Sequence, residues 1–132
     1  MSMESITPAG WPRGAGYAHA TAATGRIVSL AGQVGWDPVT QLMADGFVAQ
    51  TEQALANVAT LLQAAGAGPE HLARMTWFIT DRLAYASAQK EVGEAYRRVL
   101  GRNYPAMSVV VVAALLEPGA VVEIEATAVI QG

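Results

Sequence analysis

Two glutamates stand two residues apart in a run that is otherwise apolar: Val121-Val122-Glu123-Ile124-Glu125-Ala126. In a strand, side chains at i and i+2 leave by the same face. Glu123 and Glu125 would then share one face, while Val122, Ile124, Ala126 and Ala128 leave by the other. A carboxylate held in a cleft loses solvation, and its pKa rises. It can then take a proton from a water and return it. On a solvated edge strand the same pair would do no chemistry, so spacing alone nominates the acids without assigning them a role. Tyr17 and His19 would share a strand face at the other end of the chain, and His71 falls in a loop. The two histidines are far apart in sequence, and both read as structural or surface residues. Trp36, Trp77 and Phe78 read as core or interface before they read as ligand platforms.

Several chemistries are excluded by composition. The chain has no cysteine, which removes thiol nucleophiles, disulfides and thiolate metal sites. It has no phosphate-binding loop, no dinucleotide fingerprint and no G-x-S-x-G elbow. The net charge is −3, and the eight basic residues are scattered along the 132 residues. A nucleic-acid footprint needs a clustered basic face, so no nucleic-acid partner is expected. No apolar run reaches the roughly 18 residues of a membrane span, and the opening residues do not resemble a secretory leader. A cytoplasmic location is the expectation. With 52% hydrophobic and 14% charged residues, the chain carries more apolar surface than a monomer readily hides, which points to an oligomer.

The elements that must position these residues follow from periodicity. One domain over residues 1–132 is expected. Residues 17–20 and 26–34 read as strands around the turn Ala23-Thr24-Gly25. A helix is expected over 46–65, capped by Asp45, with Val48, Leu55, Val58, Leu61 and Leu62 on one stripe. Residues 72–80 read as a strand. Asp81 caps a second helix over 82–100, whose stripe is Tyr85, Ala88, Val92, Ala95, Tyr96 and Val99. Gly66 and Gly101 end the two helices. Strands over 107–115 and 120–130 close the chain. The order ββαβαββ predicts an α+β layer, a mixed sheet with two helices on one face. The strand from Met107 is apolar on both sides, so the helix-free face is expected to meet another subunit, with the acids at or near that contact.

Five segments together resemble the RidA/YjgF family of reactive-intermediate deaminases: AGQVGWDP, QTEQALANVATLLQAAGA, RMTWFITD, YPAMS and VEIEATAV, in that order. The resemblance runs from about residue 17 to 130. It implies a chorismate-mutase-like ββαβαββ fold and a homotrimer whose bare sheet faces form a central barrel with three intersubunit clefts. It also implies hydrolysis of imines and enamines, such as 2-aminoacrylate, to a keto acid and ammonia, with no metal or cofactor. By the motif match, Glu123 positions the water, Tyr17 is the cleft tyrosine, and Gly32 lines the cleft with its backbone. Glu125 matches no site residue. The family's active deaminases read P-A-R-S where this chain reads Pro105-Ala106-Met107-Ser108. That arginine grips the substrate carboxylate with two prongs, and methionine has neither charge nor strong donor. Met107 and Val109, with Tyr17, would make a more apolar pocket suited to a less charged or aromatic imine or enamine. The leading expectation is therefore an imine/enamine deaminase of the arginine-less kind. The alternatives are a non-catalytic trimer that binds small metabolites in the same clefts and, more weakly, a ribonuclease or translation inhibitor.

Overall fold

Four strands make the sheet, in the order β3-β6-β4-β5. They are β3 (Arg26–Val34), β4 (Leu72–Ile79), β5 (Ala106–Val111) and β6 (Val122–Ile130). This computed structural model describes residues 3–131; Met1, Ser2 and Gly132, the ends of the expected 1–132 unit, lie outside them. β6 runs antiparallel to both β3 and β4, and β5 lies parallel to β4 at the edge, so the sheet is mixed. Helix α1 (Phe47–Ala64) and the pair α2 (Arg82–Ser87) and α3 (Gln89–Leu100) complete the architecture. The fold is α+β, with the helices on one face.

The alternation in β6 decides which face that is. Val122, Ile124, Ala126 and Ala128 are all buried, at 0–5% exposure. They pack with Met75, Trp77 and Ile79 of β4 against Ala54, Leu55, Val58 and Leu62 of α1 and Val92, Tyr96 and Leu100 of α3. Each large aliphatic side chain buried in this way contributes roughly 1.5–3 kcal/mol of transfer free energy. Leu61, expected on the α1 stripe, stands at its margin and is exposed. Two amides hold α1 to the loops instead. Gln50 donates to the Gly119 carbonyl (2.9 Å) and accepts the Val121 N–H (2.9 Å). Asn57 donates to the carbonyls of Val34 (3.3 Å) and Trp36 (2.8 Å). The end of β3 and the start of β6 are thus tied to one helix.

Four expectations are corrected. The strand over 17–20 is reduced to a single parallel bridge, Ala18 with Ala106. The chain then forms β2 (Ala20–Ala22), which pairs with an unexpected short strand, β1 (Glu4–Ile6), in a separate ribbon. Thr21 ties that ribbon to β4 by donating to the Ala73 carbonyl (2.6 Å). Asp45 does not cap α1, because Gly46 occupies the capping position at φ 95°, a backbone that glycine tolerates and a side chain resists. The helix over 82–100 breaks at Ala88, whose φ of −111° and ψ of 19° leave helical geometry. The last two strands are shorter than expected, with residues 112–121 forming the connection. Asp81 does cap its helix, accepting from Leu83 N (2.9 Å) and Ala84 N (3.2 Å). Gly66 (φ 78°) and Gly101 (φ 69°) follow the helix ends, where a left-handed residue is wanted.

Candidate active site

The helix-free face carries Ile27, Ser29 and Val34 of β3, Glu123, Glu125 and Thr127 of β6, Arg74, Thr76 and Phe78 of β4, and Ser108 and Val110 of β5, as the cross-strand register dictates. Ile27 is 68% exposed and Val110 41%. Glu123 lies between Val34 and Phe78, and Glu125 stands opposite Thr76. The two acids differ in setting: Glu123 is half-buried and Glu125 exposed.

The half-burial of Glu123 has a local cause. The β3–β6 register shifts between Leu30 and Gln33, so residues 31 and 32 form a bulge. Bulges bend a strand and re-aim side chains. Gly32 sits in this one, and the Glu123 carboxylate folds over it. A Cβ built on Gly32 would fall on Glu123 Oε2 and lie 2.8 Å from Cδ and 2.9 Å from Cγ. Only glycine leaves room for the carboxylate in this position.

Tyr17, Met107 and Val109 form a second group. Met107 pairs with Met75 and Val109 with Trp77 across the β4–β5 ladder. Since Met75 and Trp77 belong to the core, Met107 faces the helix layer, not the bare face. With Tyr17, Tyr85 and Gln89 the two line a recess of about 300 Å³ at the sheet edge. Tyr17 is anchored there because Ala18 N–H donates to the Pro105 carbonyl (3.0 Å), two residues before Met107.

The structure therefore brings Glu123 to Gly32, and Tyr17 to Met107 and Val109. It does not bring the two groups together within one chain, since they lie on opposite faces of the sheet with β4 between β6 and β5. The histidines are absorbed locally. His19 Nε2 lies 2.8 Å from the Pro12 carbonyl oxygen, with its ring edge-on to Trp11 and Tyr17. His71 Nδ1 accepts the Gly68 N–H (2.9 Å). Arg13 and Arg102 line a different cavity, which Tyr17 also borders. Among the described residues no cluster of three or more His, Asp or Glu side chains could hold a metal ion. No helix among them is long and apolar enough to cross a membrane.

Sequence reasoning missed four residues that shape these groups. Gln50 and Asn57 were legible in principle, because they are polar residues seven apart on the buried stripe of α1. Gln89, and Tyr104, which lines the spaces adjoining Tyr17 and Met107, carried no such signal.

Comparison with known proteins identifies the family. Residues 12–130 match the family described as Endoribonuclease L-PSP. Protein DfrA of Myxococcus xanthus is 39% identical over 106 residues, 80% of this chain and 77% of its own. The 2-iminobutanoate/2-iminopropanoate deaminase of Capra hircus is 34% identical over 105 residues, 79% of this chain and 73% of its own. A crystal structure of YyfB from Yersinia pestis, a protein of unknown function in the conserved Rid family, superposes with a TM-score of 0.82 at 33% identity, covering 98% of this chain and 100% of that one. Both the sequence match over nearly the whole chain and the shared fold lead to the same assignment: this chain belongs to the Endoribonuclease L-PSP family, the RidA/YjgF family.

Proposed function

We propose that the protein is an imine/enamine deaminase whose substrate need not carry a carboxylate on the reacting carbon. The observation that carries this reading is the Glu123 carboxylate folded over Gly32 on a face whose neighbours, Val34 and Phe78, are apolar. Deaminase relatives such as the Capra hircus protein support the reaction type.

The chemistry asks little of the protein. An enamine first gains a proton on carbon and gives one up from nitrogen, becoming an imine. The Glu123 carboxylate takes a proton from a water as the water oxygen bonds to the imine carbon, while the nitrogen gains a proton from solvent. The carbinolamine so formed carries one hydroxyl and one amino group on the same carbon. The proton on Glu123 passes to the nitrogen, the C–N bond breaks, and ammonia leaves. The hydroxyl proton departs as the carbonyl forms. Orientation of one water and one proton acceptor is the main contribution, and no cofactor takes part in any step.

Such a site needs two copies of the chain, because Glu123 and Gly32 belong to one sheet face and Tyr17, Met107 and Val109 to the other. We read the exposed Ile27 and Val110 as part of a subunit contact in a homotrimer. There, the bare face of one protomer would meet the β5 edge of the next and complete three equivalent clefts.

Met107 sets the selectivity. Each charge-assisted bond that an arginine would make is worth roughly 1.5–3 kcal/mol. Met107→Arg is therefore expected to lower KM for a carboxylated imine such as 2-iminobutanoate by about ten- to several-hundred-fold. It should do less for an uncharged imine. Equal KM values for carboxylated substrate before and after the substitution would overturn this assignment of Met107.

A second reading has one observation in its favour. Met107 removes the carboxylate anchor, as a protein that only binds metabolites in these clefts could afford to do. Binding without acceleration of any imine would select it. Ribonuclease chemistry is disfavoured, since both histidines are engaged with backbone groups.

A further inference from the structure

The recess beside Met107 does not end at Met107. A second space of about 280 Å³ continues behind it, between the β4–β5 edge and α3, and shares Ala15, Gly16, Tyr85, Gln89 and Met107 with the first. Four rings, Trp77, Tyr85, Tyr96 and Tyr104, line it, with Gln89 and Arg97 at its polar side. Tyr96 stacks on Tyr104 (centroids 5.3 Å apart, planes 19° apart), and Tyr85 stands edge-on to Trp77 (6.4 Å, 79°). Edge-on and stacked rings are the surfaces that a further ring packs against. A cavity of roughly 150 Å³ already takes benzene, so by volume this one has room for a ring and a short linker.

One further feature argues that the space is kept open. Gly93 lines it from the interior of α3, where glycine costs a helix about 1 kcal/mol relative to alanine. Its backbone is not in the left-handed region, and a Cβ there would meet only the Arg97 guanidinium (3.3 Å to Nη1). Neither conformation nor close packing requires glycine, so the evident consequence of its presence is space.

We propose that this recess is an aryl subsite: it takes the ring of an aryl-substituted imine or its carbonyl product, with the linker passing Met107 and the reacting carbon beside Tyr17. The unbranched Met107 side chain, with its polarizable sulfur, makes a yielding partition between ring and reactive carbon. This deepens the deaminase reading and rests on it only for the fate of the substrate. The ring site itself is a matter of binding.

The test is equilibrium binding, followed by ligand-observed NMR, of two unreactive probes, 4-phenyl-2-butanone and 2-butanone. Burial of a phenyl group predicts a roughly ten- to hundred-fold preference for the aryl ketone. Gly93→Leu fills the recess and should abolish that preference. Gly93→Ala, a better helix former, should raise Tm while lowering aryl affinity severalfold and leaving butanone unchanged, which keeps the test informative if the leucine variant folds poorly. Equal binding of the two probes, no binding of either, or an aryl preference that survives both substitutions would overturn the proposal. An intact aryl preference with no ammonia release from any imine would instead overturn the deaminase reading and leave the subsite standing.

Discussion

Replacing Gly32 with alanine is the sharpest local test of how Glu123 is held. A Cβ at this position would lie 2.8 Å from Glu123 Cδ and 2.9 Å from Cγ. Ordinary carbon–carbon contact is about 3.5–4.0 Å, so the side chain must retreat by about 0.6–1.2 Å. The backbone at residue 32 is not in the left-handed region. Alanine can adopt it, and the reduced freedom of the unfolded chain offsets part of any strain. The cost therefore falls on the position of the carboxylate and not on folding. A displacement of about 1 Å in a positioning group costs about a hundred-fold in rate, or about 2.7 kcal/mol of barrier. The assay is ammonia release from an imine generated in situ by an amine oxidase, with Tm measured on the same samples. The expected result is kcat down about a hundred-fold with Tm within a few degrees of wild type. Full activity in Gly32→Ala would refute the reasoning, because the carboxylate could not then depend on the space above residue 32.

Two further predictions concern assembly and alkaline stability. If Glu123 and Tyr17 act from different protomers, the protein should have three times the mass of one chain by light scattering, and substituting Ile27 and Val110 together with aspartate should dissociate it and abolish activity; an active monomer would contradict a shared cleft. The Tyr96 phenol is buried and stands beside Tyr104, and both effects push its pKa well above the ordinary value of 10.0. Its neutral form is favoured in the folded state, so the contribution is complete below about pH 10 and is lost as pH rises toward the folded-state pKa. The urea midpoint should fall above about pH 10 in wild type, and less steeply in Tyr96→Phe.

The parts of this structure that were legible in sequence are those governed by a single period. The β6 alternation identified Val122, Ile124, Ala126 and Ala128 as the helix-side set, since burying them required it. The α1 stripe was legible for the same reason, although Leu61 falls at its edge. Asp81 capped as expected because nothing intervenes between it and the helix. Asp45 failed because Gly46 takes the capping position. The Glu4–Ile6 and Ala20–Ala22 ribbon escaped notice because six mostly exposed residues carry no apolar alternation. The β3 bulge was equally hidden, since one extra residue in a strand leaves no mark in composition. Yet the bulge and Gly32 decide how Glu123 is presented. Tyr17, Met107 and Val109 were grouped by resemblance, and that they line one recess depends on the Ala18–Pro105 hydrogen bond, a contact between residues 87 positions apart that no local pattern encodes.

The central claim is that Glu123 activates water on an imine carbon, and one comparison tests it most directly. Ammonia release would be measured for wild type and Glu123→Gln, with carboxylated and uncharged imines, correcting for uncatalysed hydrolysis. Glutamine keeps the size of the side chain and removes the proton acceptor, so the account predicts a fall of about 10²–10⁴ in kcat with both kinds of imine, and wild-type turnover of uncharged imines at rates comparable to carboxylated ones. Unchanged release in Glu123→Gln would contradict it.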